Sequence, residues 1–373
     1  MASRAATRLG RVKVVLAPDK FAGTLTAAEA ARAMADGWRD ARPGDELVFA
    51  PMADGGEGLL DVLMEAVPGA ARHEREVADA RGMATLGSWV LLPDGRAVVE
   101  SAQACGLSRL APERRNPRLA TSYGVGQLIA AAAAAGAREI VVGVGGTATV
   151  DGGGGMATAL GHRLLRADGN RVKVGGEFLA QTVRVEPAPA LGVPVIAALD
   201  VDTPLLGPSG AVAVFAPQKG AAPEDLPLLE SALAAFADAV ERDVPGGPWR
   251  DEPGAGAGGG LGFALMAFLG ARVVPGARVV ADLVGLPAAL SGAGAVLTGE
   301  GSLDRQTSAG KAPALVAALG RAGGAKVLAV AGRVQPEAAA QFDAALDLGP
   351  EGLTRAAELV RERTAELAAG LTE

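Results

Sequence analysis

Cysteine is nearly absent from this 373-residue chain: Cys105 stands alone, so no disulfide can form within the chain and a cysteine-based zinc site is excluded. A reducing cytoplasm is the expected compartment. Only two histidines occur, His73 and His162, in strand-like and helix-like contexts without an evident partner. Both read as structural, and there is no Ser-His-Asp arrangement to defend. Aromatic residues make up 3% of the chain against 53 glycines, a balance that points to many tight turns rather than to disorder. Basic runs are missing as well. A net charge of -7 without clustered Lys and Arg argues against a nucleic-acid groove. No apolar run is long enough to span a membrane, because Leu128 to Val144 is broken by Gly136, Arg138 and Glu139 and reads as a helix followed by a strand. After an arginine-bearing amino end, Val12 to Ala17 stops at Pro18, too short for the core of a secretory leader.

What is present is a β-α rhythm. Val12 to Ala17 has the β-branched character of a buried parallel strand and ends in Pro18-Asp19-Lys20. Thr26 and Glu29 form a capping box ahead of the helical spacing Ala30, Ala33, Met34 and Trp38. A second strand, Glu46 to Ala50, runs into Pro51 to Gly58, and a helix begins near Leu59. From Arg72 to Glu100 the pattern alternates around Pro93-Asp94-Gly95, which predicts a hairpin. Helix Ser122 to Ala135, strand Glu139 to Val144, a glycine-rich loop to Gly155, a helix from Met156 and strand Val193 to Leu199 follow. Asp243 to Gly260 reads as a loop leading into helix Leu261 to Leu269. Ala295 to Thr298, a helix from about Pro313 and the strand Lys326 to Ala331 restore the opening rhythm. The length suits about two domains. The expected fold is α/β: a parallel-sheet domain built from both chain ends (1–75 plus 285–373), with the middle of the chain (76–284) inserted into it.

Acidic residues recur at the predicted strand exits: Asp19, Asp54 with Glu57, Asp151, Asp200 with Asp202, and Glu300 with Asp304. In open α/β sheets ligands sit outside the carboxyl ends of the strands, so this recurrence suggests a metal-assisted site. Phosphoryl transfer needs carboxylates for Mg²⁺, positive charge on the moving group and a base for the attacking hydroxyl. Gly254-x-Gly256-x-Gly258-Gly259-Gly260 ahead of an apolar helix could turn backbone N–H groups toward an anion. Gly310-Lys311 is not a P-loop, since Arg305 takes the place of the first glycine and Ala312 that of the Ser/Thr. Gly143-x-Gly145-x-x-Ala148 formally fits a dinucleotide fingerprint, but Asp151 lies in the turn where a pyrophosphate needs neutral backbone.

Assembled, these loops resemble the class I bacterial glycerate kinases. The blocks that carry the resemblance are Ala17-Pro18-Asp19-Lys20-Phe21, Pro51 to Gly58, Gly146 to Thr149 with Asp151-Gly152-Gly153, Gly207-Pro208 through Pro217-Gln218-Lys219-Gly220, Pro253 to Gly259, and Thr298 to Asp304 with Gln306-Thr307 and Gly310-Lys311. They run over almost the whole chain. Ala22 departs from a lysine or other polar residue in the first block, and Met1 to Leu9 has no counterpart.

The resemblance implies two α/β domains, one Rossmann-like with a parallel sheet and the inserted one with a mixed sheet, with the active site in a cleft between them, and ATP with Mg²⁺ acting on D-glycerate. The product is expected to be 2-phosphoglycerate rather than 3-phosphoglycerate. On this basis Thr147, Thr149, Gly152, Gly153, Gly254, Gly256, Gly258 and Gly259 are expected around the ATP phosphates, and Asp200 and Glu300 at Mg²⁺. Lys20, Lys219 and Lys311 would supply positive charge, Asp54 or Asp304 would orient the hydroxyl, and Asp19, Lys20, Arg305 and Gln306 would bind substrate. Neither a nucleic acid nor a membrane is expected as partner, and a homo-oligomer is compatible with the sequence. A nicotinamide-dependent dehydrogenase of a small hydroxy acid and a non-enzymatic sugar-acid sensor are the alternatives.

Overall fold

The computed structural model describes residues 11–304 and 311–371. The chain divides into two compact units, Met1–Asp54 with Asp61–Pro68 and Ala277–Glu373, and Gly55–Leu60 with Gly69–Gly276. Strands β1 (Lys13–Leu16) and β2 (Glu46–Phe49) open the first unit. The second holds β3 (Ala71–Ala78), β4 (Ala84–Leu91), β5 (Arg96–Glu100), β6 (Glu139–Gly143), the short β7 (Arg163–Leu165) and β8 (Arg184–Glu186), β9 (Val195–Ala198) and β10 (Arg272–Val274). The chain then completes the first unit with β11 (Ala295–Thr298), the two-residue β12 (Ser302–Leu303), β13 (Lys326–Ala331), the two-residue β14 (Arg333–Val334) and β15 (Ala344–Asp347).

In the first unit a parallel sheet runs in the order β15-β13-β11-β1-β2. Val14 to Leu16 and Ala295 to Thr298 are fully buried, as expected for strands covered on both faces. The strand order reverses between β1 and β11, the switch point outside which such sheets bind ligands. Thr26 and Glu29 form the expected capping box, and helix Ala27–Ala41 buries Ala30, Met34 and Trp38. It meets helix Ala356–Ala369 so closely that a Cβ on Gly37 would lie 2.1 Å from the Arg361 carbonyl oxygen. Asp40 and Arg361 pair across the same seam at 2.7 Å.

The second unit is built on a six-stranded mixed sheet, β10-β9-β6-β5-β4-β3. Strands β5, β6, β9 and β10 are parallel, while β3 and β4 are antiparallel additions. The Pro93-Asp94-Gly95 turn joins β4 to β5 as expected, with the Leu92 amide donating to Arg96. A second hairpin precedes it, because Asp79 accepts from the Arg81 and Met83 amides and closes a turn between β3 and β4 without the Asn-Gly signal. The helix expected from Met156 begins two residues earlier, at Gly154. The segment Ala257–Leu269 is apolar helix only beyond Gly260, since Gly258, Gly259 and Gly260 all have left-handed φ.

Candidate active site

The first unit gathers four of the expected residues at the carboxyl ends of its strands. Asp19 and Lys20 follow β1, Asp54 follows β2, and Glu300 follows β11. Backbone bonds tie these loops together: the Asp19 amide donates to Gly299 at 2.8 Å, the Met52 amide to Pro18 at 2.8 Å, and the Gly332 amide to Glu300 at 3.1 Å. Asp19 is only 7% exposed, and its Oδ1 accepts from the Lys20 amide at 2.6 Å. Burial, reinforced by the charges of Asp54 and Glu300, pushes its carboxyl up to about 7 against the opposing pull of Lys20. A carboxylate is thereby poised to take a proton near neutral pH. Asp304 and Lys311 are half-buried, Lys311 standing at the N-cap of helix Ala312–Ala322. Arg305 and Gln306 lie outside the described residues.

In the second unit Lys219 is 3% exposed. Its Nζ donates to the Thr147 hydroxyl at 3.1 Å and to the Thr149 carbonyl at 2.8 Å. Burial pulls the ammonium down to about 8, while Asp151 pushes the other way. The Cys105 thiol, raised to about 12 by burial, stays protonated at neutral pH and adds no charge. Asp151 is fully buried and accepts from the Ser122 amide and hydroxyl and from the Gly153 and Gly155 amides. Burial raises its carboxyl although these four donors oppose the shift. Asp151 therefore organises the turn that contains Gly152 and Gly153.

The glycine run of this unit packs on that turn. A Cβ on Gly259 would lie 2.0 Å from the Thr149 carbonyl oxygen, and one on Gly260 2.6 Å from Gly152 Cα. The Thr149 hydroxyl donates to Gly258, and the Gly152 amide donates to Gly259. Amides of Gly256, Ala257, Gly259 and Gly260 donate to Thr203, Gly254 and Gly256 within the same unit. Close backbone approach is sufficient reason for glycine at these positions. The same holds for the dinucleotide-like spacing, since a Cβ on Gly143 would lie 2.2 Å from the Gly55 carbonyl oxygen and one on Gly145 2.7 Å from Gly56 Cα.

Asp200 is exposed, and its Oδ1 accepts from the Gly276 amide at 2.6 Å. Glu57 accepts from the Ser108 hydroxyl at 2.6 Å. Glu100 escaped sequence reasoning: it ends β5, is 1% exposed, and accepts from the Leu60 amide at 3.3 Å. Its one signal is an acid closing the apolar stretch Ala97 to Val99. His162 is buried against Phe268, and its Nδ1 accepts from the Ala188 amide, a structural role. Among the described residues no set of three or more His, Cys, Asp and Glu side chains is arranged to hold a metal on its own. Mg²⁺ suits such a place nonetheless, because it is held by one or two carboxylates together with substrate phosphates and water. Among the described residues no helix is long and apolar enough to cross a membrane.

A model of the glycerate kinase family matches residues 14–369. The chain is 39% identical over 341 residues to a glycerate kinase of Bacillus subtilis (strain 168), an alignment covering 90% of this chain and 89% of that protein. It is 39% identical over 330 residues to the glycerate 2-kinase of Escherichia coli (strain K12), covering 86% and 85% respectively. A crystal structure from Salmonella typhimurium LT2, provisionally described as a glycerate kinase 2, superposes with a TM-score of 0.85 at 37% identity over 96% of this chain and 98% of that one. The chain belongs to the glycerate kinase family.

Proposed function

We propose that this protein transfers the γ-phosphoryl group of ATP to the 2-hydroxyl of D-glycerate with the aid of Mg²⁺. The observation that carries the chemistry is Asp19, a buried carboxyl held near neutral pKa beside Asp54, Glu300 and Lys20 at the switch point of the parallel sheet. Family membership supports the kinase reading, and the printed name of the Escherichia coli relative, a glycerate 2-kinase, favours the 2-position.

In this mechanism Asp54 orients the attacking hydroxyl and Asp19 takes its proton as oxygen bonds to the γ-phosphorus and the bond to ADP breaks. Glu300 is the proposed metal carboxylate of the first unit, and Asp200 that of the second. When bound, Mg²⁺ neutralises charge on the phosphates. Lys20 and Lys311 supply positive charge to the glycerate carboxylate or the transferring group. Lys219, bonded to Thr147 and Thr149, acts as a positioning residue that fixes its loop. Coupled ADP release measured with and without D-glycerate tests the reaction, and phosphorus NMR of the product tests the position. ADP release independent of glycerate, or a 3-phosphorylated product, would overturn the corresponding part.

A further inference from the structure

We propose that the first unit carries the nucleotide pocket: a cavity of about 510 Å³, bordered by Phe21, Thr24, Arg333, Asp347, Pro350 and Leu353, receives the base and ribose of ATP. The inference rests on the kinase reading above and extends it to where the donor is held. The volume is that of an ordinary small-molecule pocket. The cavity opens where the loops after β1, β11, β13 and β15 converge, outside the carboxyl ends of the parallel strands.

Its walls separate by chemistry as a nucleotide requires. Leu353 is 81% exposed, a large apolar side chain beside Pro350 that a heterocycle would cover. Asp347 ends β15 with an exposed carboxylate, and an acid at a strand end is suited to accept hydrogen bonds from ribose hydroxyls. Arg333 offers an exposed guanidinium, the group best shaped for phosphate oxygens. Neither Arg333 nor Asp347 makes an ion pair among the described residues, so both charges are available to a ligand. The rim is closely packed: a Cβ on Gly332 would lie 2.5 Å from the Gly301 carbonyl oxygen, and the Arg333 amide donates to Gly301 at 3.2 Å. Glu300 immediately precedes Gly301, so phosphates extending past Arg333 approach the carboxylates of the same unit. The rival cradle, Gly254 to Gly260, already uses the amides of Gly256, Ala257, Gly259 and Gly260 for internal bonds.

The test uses the full-length protein and N-methylanthraniloyl-ADP as a fluorescent probe. Leu353→Asp and Asp347→Ala each alter an exposed side chain, and unchanged melting temperatures would verify the fold. We expect both to raise the Kd for the probe and the KM for ATP by about tenfold, while the KM for D-glycerate moves less than about twofold. A wild-type protein that binds the probe and phosphorylates glycerate, paired with variants of unaltered Kd, would overturn the pocket and leave the kinase reading intact. Selective weakening of D-glycerate would also overturn it, by making the cavity the acid site. Absence of both probe binding and turnover in the wild type would overturn the kinase reading itself.

Discussion

Thr149 and Gly259 meet backbone to backbone, with space between them for a hydrogen atom and nothing larger: a Cβ on Gly259 would sit 2.0 Å from the Thr149 carbonyl oxygen. That same carbonyl accepts from Lys219 at 2.8 Å. Gly259→Ala should therefore destabilise the protein by about 2 kcal/mol or more, because both the left-handed φ and the lack of space oppose the new methyl group. Urea denaturation measures this, and a midpoint equal to the wild type would refute the packing account.

Removing the other partner of Thr149 should act differently. Lys219→Met leaves the buried Thr149 carbonyl and Thr147 hydroxyl without their donor, a cost of about 1–3 kcal/mol. Lys219→Arg should not rescue it, since a guanidinium does not fit where an ammonium is fully enclosed. Denaturation midpoints of the two variants, read beside kcat and KM, distinguish a positioning role from a purely structural one. Loss of stability with kinetics unchanged would assign Lys219 to structure alone.

Asp19 should trade stability for readiness. Its carboxyl is near 7 in the folded protein against an ordinary 3.8, so the native state holds the proton that the unfolded chain has already released. Stability falls as pH rises between these values and is level above them. Asp19→Asn should therefore be more stable than the wild type by up to about 4 kcal/mol at pH 8, and no more stable at pH 3.5. Thermal melts in the presence of a chelator check the sign, and a gain that does not grow between pH 4 and 7 would contradict it.

Glu300→Gln keeps the shape of the side chain and removes its charge. Turnover should drop by about two orders of magnitude or more, while the melting temperature holds. Steady-state rates across a Mg²⁺ titration provide the measurement. Unchanged turnover would remove Glu300 from the mechanism.

His162 supplies an acid-side signature in the second unit. Burial lowers its imidazole to about 4 from 6.5, so the folded form stays neutral where the unfolded chain would protonate. Its contribution is present above pH 6.5 and is lost as pH falls toward 4. His162→Phe should flatten this part of the stability profile. A slope unchanged by the substitution would place the dependence on another group.

The periodic and punctuated parts of the sequence were the legible ones. Val12 to Ala17, the Thr26 and Glu29 capping box and the turn at Pro93 to Gly95 each carry a local rule that packing does not override. The hairpin closed by Asp79 was missed because an acid accepting two amides does the work usually advertised by Asn-Gly. Asp19, Asp54 and Glu300 could be named as strand-exit acids, but Asp19 as the perturbed one could not, since its shift depends on burial and on neighbours distant in the chain. The glycines at 254–260 signalled permissive backbone and left open whether a ligand or the chain itself occupied the space. Glu100 showed little because an acid after an apolar strand ordinarily faces water.

The pairing of Val14 with Ala295 sets an order on biosynthesis. A ribosome delivers β1, helix Ala27–Ala41 and β2 first, then the whole stretch Gly69–Gly276, and only afterwards the strand that lies on the other side of β1. The inserted unit can thus close while the first is still lacking β11. Until then, the open flank of β1 is an apolar strand edge available to other nascent chains. Synthesis interrupted between Gly276 and Ala295 should accordingly yield products rich in association, with the later unit folded and the earlier one waiting.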